Sequence, residues 1–193
     1  PPSPRALSLK KDAFLAALPA FDAVVFSDYG KGGLAQVGEM IETAKAAGIA
    51  AFVDPKGSDF SRYRGATILT PNKSEFQAVV GPWQTEDDLR AKAQNLRSAL
   101  ALEALLITRS EEGMSLFTAD AVLDLPTHAR EVYDVSGAGD TVIATLAACR
   151  AARASWEEAA RTANLAAGLV VAKLGTATVS PEELTTLFAK DFS

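Results

Sequence analysis

Residues 134–141 read DVSGAGDT, and they place two glycines and a carboxylate where a helix is about to begin. The first turn of a helix carries unpaired N–H groups and the positive end of its dipole. Glycine there lets the backbone approach a ligand with no Cβ in the way. Gly137, Ala138 and Gly139 can therefore present amide hydrogens to an anion, most naturally a phosphate. Asp140 beside that anion hole would repel phosphate, so its placement makes chemical sense if it takes a proton from a hydroxyl that attacks phosphorus. The combination points to phosphoryl transfer, with a base for the acceptor alcohol and amides for the migrating charge. The same residues also suit a plain strand-to-helix turn in which Asp140 only complements the dipole. The spacing is neither a Walker A sequence nor G-x-G-x-x-G.

Three other stretches weigh on the choice. SDYGKGGL (27–34) leaves an apolar run with Asp28, then offers Lys31 and glycines. TPNKSEF (70–76) sets Asn72 and Glu75 three residues apart, with Lys73 and Ser74 between them. Glu75 there could hold water around Mg²⁺ and Asn72 could steady phosphate oxygens, although a capped helix with an acidic first turn reads the same way. ITRSEEGM (107–114) supplies Thr108 and Gly113, and otherwise reads as a polar loop. The four stretches argue together, since ligands of open α/β sheets bind at the carboxyl ends of the strands.

The elements that must position them follow from periodicity. FDAVVFSD (21–28), IAAFVDP (49–55), GATILTPN (65–72) and EALLITR (103–109) are short apolar runs suited to strands buried on both faces. Val37, Met40, Ile41 and Ala44 repeat at helical spacing before Gly48, and Leu89, Ala93, Leu96 and Leu100 do so after the acidic start TEDD. KSEFQAVV reads as a short helix, and Lys10 to Leu18 as another. GMSLFTADAVLDLPT reads as a hairpin and EVYDV (131–135) as a further strand. Helices over 138–153, 155–174 and 181–190 close the chain, the last two with serine caps at Ser155 and Ser180. Strands alternating with helices predict a mainly parallel sheet between helical layers, in one domain over 1–193 with residues 1–9 extended or frayed.

Composition excludes several classes. The net charge of −5 over 193 residues gives no basic footprint for nucleic acid. No apolar run has membrane-spanning length, and PPSPRALSLKKDAF lacks a signal-peptide core, so the expected location is cytoplasmic. The single cysteine, Cys149, falls among apolar helical positions and reads as an inert buried thiol; the single histidine, His128, reads as a loop residue.

DVSGAGDT, NKSE, TRSEEGM and the closing ANLAAGLVVAKLGTATVSPEEL resemble, in that order, the ribokinase-like (PfkB) carbohydrate kinases. SDYGKGGL, VDPKGSDFSRYRGATILTPNKSEF, LITRSEEGMSLF and EVYDVSGAGDTVIATLAA are similar to one branch of that family, the heptose-7-phosphate kinase domains of bifunctional heptose kinase/adenylyltransferases. The likeness runs from about Phe21 to about Leu184. It implies a ribokinase-like three-layer α/β/α fold, and transfer of phosphate from ATP–Mg²⁺ to the anomeric hydroxyl of D-glycero-β-D-manno-heptose 7-phosphate. The 1,7-bisphosphate product would feed ADP-heptose synthesis for the lipopolysaccharide core. In this reading Asp140 is the base and Gly137, Ala138 and Gly139 the anion hole. Asn72, Lys73, Ser74 and Glu75 face the nucleotide phosphates and metal, and Thr108 and Gly113 border the ATP site. Asn164, Gly168 and Val171 shape the adenine pocket, with Lys173 and Gly175 at its rim. Asp28, Lys31 and Lys56 approach the acceptor, and Asp134 and Ser136 stand where relatives hold a monovalent cation such as K⁺. The N-terminal region and lid of the family are expected to be missing here, as is a nucleotidyltransferase region, and relatives pair as homodimers. Ser110 stands where many relatives have glycine.

Two alternatives remain at this point. One is a ribokinase-like kinase of a neutral sugar or a nucleoside; PKGSDFSRYRG, with Arg62 and Arg64, favours a phosphosugar. The other is a non-catalytic fragment that binds nucleotide only. A dinucleotide-dependent oxidoreductase lacks its glycine fingerprint.

Overall fold

The computed structural model describes residues 2–128 and 133–191. Its centre is a six-stranded sheet in the order β1 (Ala23–Ser27), β2 (Ala50–Asp54), β3 (Ile68–Leu69), β4 (Ala104–Thr108), β5 (Met114–Phe117) and β6 (Val122–Leu125). The first four strands are parallel and the last two form an antiparallel hairpin on β4. The helices are α1 (Pro4–Ala17), α2 (Val37–Ala46), α3 (Lys73–Val80), α4 (Glu86–Ala99), α5 (Ala138–Ala151), α6 (Trp156–Val171) and α7 (Pro181–Asp191).

Strand side chains alternate between two cores, as the pleat requires. Ala51, Val53, Leu105 and Ile107 face a core shared with α2, α3 and α4, built on Ile41, Phe76 and Leu89. Phe52, Ala104 and Leu106 face the opposite core, completed by Val142, Ile143 and Leu146 of α5 and Ala159, Ala160 and Ala163 of α6. The alanines of α6 let the two last-named helices lie close together, since small side chains keep backbones near. The result is three layers, α/β/α, as expected from the alternation of elements.

Three local differences from the sequence reading have physical causes. The first helix starts at Pro4 instead of Lys10, because the Ser3 hydroxyl accepts from Ala6 N–H (3.2 Å) and proline suits the first turn. The strand expected over 131–135 lies partly outside the described residues. Tyr133–Val135 are not in a strand, and the Tyr133 and Asp134 N–H groups instead donate to the Val171 carbonyl at the end of α6. The third parallel strand pairs over only two residues, because Pro71 ends it and Asn72 turns into α3. Among the described residues no helix is long and apolar enough to cross a membrane.

Candidate active site

The parallel register brings four strand ends into one row. Ser27 pairs with Asp54, Asn72 bridges Thr108, and Asp28 N–H donates to the Asp54 carbonyl at 3.0 Å. From the other side of the sheet α5 delivers Asp140 to the same row. Its N-cap, Gly137, adopts φ +80°, a left-handed conformation that glycine takes at least cost. The Ala138 N–H donates to the Val135 carbonyl at 3.2 Å. Among the described residues the Gly137 and Gly139 N–H groups have no backbone carbonyl to donate to, so these two remain for an anion. Asp140 is exposed and meets the end of β1: the Tyr29 hydroxyl lies 3.2 Å from each of its carboxylate oxygens, and Ser27 Oγ 3.4 Å from Oδ1.

Asn72 and Glu75 form a reciprocal cap at the start of α3. Asn72 Oδ1 accepts from Glu75 N–H (2.9 Å), and Glu75 Oε2 accepts from Asn72 N–H (3.0 Å). Ser74 Oγ also donates to Asn72 Oδ1 (2.7 Å). The cap leaves Glu75 Oε1 for Lys56 Nζ, at 2.7 Å. Capping and chemistry are thus compatible at these residues: one oxygen of Glu75 fixes the helix and the other faces the row of strand ends.

Asp54 is the residue that sequence reasoning passed over. Burial, then the charges of Glu75 and Asp140, push its carboxyl up to about 7, against a smaller pull from Lys56. The available signal was its place as the last residue of an apolar strand, in register with Ser27. Neighbouring Asp28 is buried and fully engaged, accepting from Tyr63 Oη (2.8 Å) and Gly30 N–H (2.8 Å), with Arg62 at 3.6 Å. It shapes the loop instead of offering a free carboxylate. Lys31 lies over the Tyr29 ring, 6.0 Å from its centroid, and with Tyr29 and Lys10 lines a cavity of about 580 Å³ beside β1.

The remaining expected residues fall into two groups. Lys73 pairs with Glu112 (2.6 Å), joining the start of α3 to the turn after β4. In that turn Ser110 adopts φ +55°, which accounts for glycine being suited to its position. Gly113, at φ +87°, could not carry a side chain at all, since a Cβ would stand 2.0 Å from the Leu125 carbonyl oxygen. Asn164 is buried, and its side-chain N–H₂ donates to the Pro126 carbonyl (2.8 Å), so it anchors the strip after β6 onto α6. Gly168 lies one turn further along α6, half-buried, with Val171 at its end. Lys173 is tied to Glu183 (2.7 Å) and the Thr178 carbonyl. The Asp134 carboxylate is held below the usual range by the Ser136 N–H, the Ser136 side chain and the Gly175 N–H. Cys149 is half-buried, and burial pushes its thiol up.

Comparison with known proteins gives the family and the fold. The family model of the pfkB family carbohydrate kinases matches residues 6–183. The chain is 60% identical over 169 residues to the bifunctional protein HldE of Proteus mirabilis, covering 87% of this chain and 36% of that protein. It is 58% identical over 177 residues to HldE of Chromohalobacter salexigens, covering 91% and 37%. It therefore spans roughly a third of the length of these relatives. Arabidopsis thaliana ribokinase, solved with ribose and ATP, superposes with a TM-score of 0.81 at 23% identity, over 91% of this chain and 58% of that one. Escherichia coli phosphofructokinase-2, solved with potassium, gives 0.79 at 19% identity, over 95% and 63%. The fold is the ribokinase-like α/β fold, and the chain belongs to the pfkB family of carbohydrate kinases.

Proposed function

We propose that this chain carries the ATP-dependent phosphorylation of the anomeric hydroxyl of D-glycero-β-D-manno-heptose 7-phosphate, giving the 1,7-bisphosphate for ADP-heptose and lipopolysaccharide core synthesis. The observation that carries the reading is the position of Asp140. It sits in the first turn of α5, within reach of residues 111 and 113 positions away, beside two N–H groups that have no backbone partner among the described residues. Asp140 accepts the proton of the attacking hydroxyl, whose oxygen bonds to the γ-phosphorus as the bond to the β-phosphate oxygen breaks. The Gly137 and Gly139 N–H groups offset the charge of the moving phosphoryl group. Lys31 and Lys56, both exposed at the mouth, favour a phosphorylated acceptor over a neutral one. The high identity to HldE supports this acceptor.

The carboxylates also suit Mg²⁺. Asp54 is raised to about 7 partly by Glu75 and Asp140, which marks negative charge that a cation would relieve. The described residues offer no three-carboxylate cage. Mg²⁺ in phosphoryl-transfer sites is held by one or two carboxylates, water and substrate phosphates. Glu75 and Asp54 would hold it, and Mg²⁺ when bound supplies positive charge to the nucleotide phosphates. Asp134 and Ser136 are the corresponding proposal for a monovalent cation such as K⁺. A cytoplasmic location and a homodimer belong to the same proposal, carried by the family resemblance.

Asp140→Asn decides the matter. Phosphoryl transfer should fall by about 10²-fold or more while ATP still binds, since the amide keeps the shape and loses the base. Transfer retained at near the original rate would remove Asp140 from the chemistry.

A further inference from the structure

We propose that the Tyr29 hydroxyl is a stand-in for the acceptor: it covers the proton-accepting edge of Asp140 until a sugar hydroxyl displaces it, and so keeps water from being activated there. The inference rests on reading Asp140 as the base. Equal distances of 3.2 Å from the Tyr29 hydroxyl to Oδ1 and Oδ2 put that oxygen in front of both carboxylate oxygens, on the face an incoming alcohol must use to lose its proton. Ser27 Oγ, at 3.4 Å from Oδ1 alone, approaches a single oxygen and leaves that face open.

The surroundings separate this contact from a structural one. Tyr29 is 62% exposed, and its other polar contact is Lys31 over the ring. A hydrogen bond so open to water adds little to the stability of the fold. Tyr63, in the same neighbourhood, shows the structural alternative: it is fully buried and donates to buried Asp28 at 2.8 Å. Tyr29 also lines the 580 Å³ cavity beside β1, together with Ser27 and Lys31. The residue lies in a loop that turns through Gly30 (φ +69°) and Gly32 (φ +80°), and among the described residues its polar side-chain contacts are with Asp140 and Lys31.

Without the phenol hydroxyl, a water molecule takes its place. Asp140 accepts one proton from that water, the water oxygen bonds to the γ-phosphorus, and the bond to the β-phosphate oxygen breaks, releasing ADP and phosphate. The stand-in therefore suppresses ATP hydrolysis in the absence of sugar, and costs some acceptor affinity because the sugar must displace it.

Tyr29→Phe in the full chain keeps the ring and the Lys31 contact and removes only the hydroxyl. Two quantities are read: sugar-independent ATP hydrolysis relative to phosphoryl transfer to heptose 7-phosphate, and calorimetric Kd of heptose 7-phosphate with a non-hydrolysable ATP analogue present. The hydrolysis ratio should rise about fivefold and the Kd should tighten by a similar factor, the worth of one displaced hydrogen bond. The added hydrolysis should vanish in Tyr29→Phe/Asp140→Asn. If either the ratio or the Kd stays where it was, Tyr29 is not a stand-in. Undiminished transfer by Asp140→Asn alone would instead bring down the base assignment, so the two failures are told apart.

Discussion

At the scale of single residues, the informative feature is a carboxylate that resists ionisation. Asp54 ordinarily titrates near 3.8, and in the folded chain it is raised to about 7, first by burial and then by Glu75 and Asp140. Between those two values the folded chain holds a proton that the unfolded chain has lost, so this group's contribution makes stability fall as pH rises through that window. Replacing Asp54 by asparagine removes the ionisation and keeps the shape. The full linkage must be discounted, because Asp54 is only half-buried and water screens part of the repulsion. A gain of about 1 kcal/mol at pH 8 is expected, which corresponds to about 2–4 °C in Tm for a chain of this size. At pH 5 the folded side chain is protonated while the unfolded one has already ionised, so well under half of that gain should remain, and it should vanish only below about 3.8. Thermal melts without nucleotide or metal at the two pH values check this, and equal shifts at both would show that the carboxyl ionises normally. The same comparison tests the metal assignment from another side. Repulsion at Asp54 that a cation relieves should leave the asparagine variant with little to gain from Mg²⁺.

At the scale of elements, the loop after β4 is held by charge more than by apolar packing. Arg109 is 9% exposed, and its guanidinium forks onto Glu86 (2.6 and 3.0 Å), donates through Nε to Glu112 (2.9 Å), and reaches Ser115 Oγ (3.1 Å). Ser115 Oγ in turn donates to Asp124 Oδ1 (2.6 Å), which ties in β6. One side chain thus joins the start of α4, the 110–112 turn and the hairpin, next to Lys73 and Gly113 at the expected nucleotide border. Arg109→Ala should cost about 2–3 kcal/mol, less than for a pair buried on both sides, because Glu86 and Glu112 can rehydrate. Arg109→Lys should recover only part of that, since an ammonium cannot form the fork. Urea unfolding of the three proteins measures it, and full recovery by lysine would reduce the network to simple charge. This clamp was not legible in the sequence, where TRSEEG is indistinguishable from a solvated polar loop; its meaning depends on Glu86, 23 positions away. What was legible depended on local rules. The four parallel strands, the hairpin around Thr118–Ala121 and the caps at Asn72, Ser155 and Ser180 each follow from period, turn chemistry or capping within a few residues. Asp140, Asn72 and Glu75 were legible because glycines and caps surround them. Tyr29 and Asp54 were not, since their significance arises only when α5 crosses to the ends of β1 and β2.

At the scale of the whole molecule, the sheet concentrates acid at one end of an already acidic chain. Net charge is −5, and Asp54, Glu75 and Asp140 all sit at the carboxyl ends of the strands or at the helix starts beside them. On the proposed reading ATP would bring further negative charge to that end, and helix amides with Lys31 and Lys56 would work against a repulsive field. The site should bind nucleotide well only when a divalent cation comes with it. A ligand that binds the folded chain stabilises it by mass action, by about 2.7 kcal/mol at a hundredfold excess over Kd. For 193 residues that amounts to about 5 °C or more in Tm. ATP with Mg²⁺ should produce this shift, and the same ATP with Mg²⁺ chelated should produce little of it. Raising ionic strength should weaken the difference, because screening acts on the exposed carboxylates and phosphates alike. Equal stabilisation with and without Mg²⁺ would mean that the acidic end of the sheet does not face the phosphates, and the arrangement of nucleotide and acceptor along the strand ends would have to be reversed. The experiment also separates a kinase from a fragment that only holds nucleotide. Both show the metal-dependent shift, but only the kinase links it to turnover that Asp140→Asn abolishes while the shift itself persists.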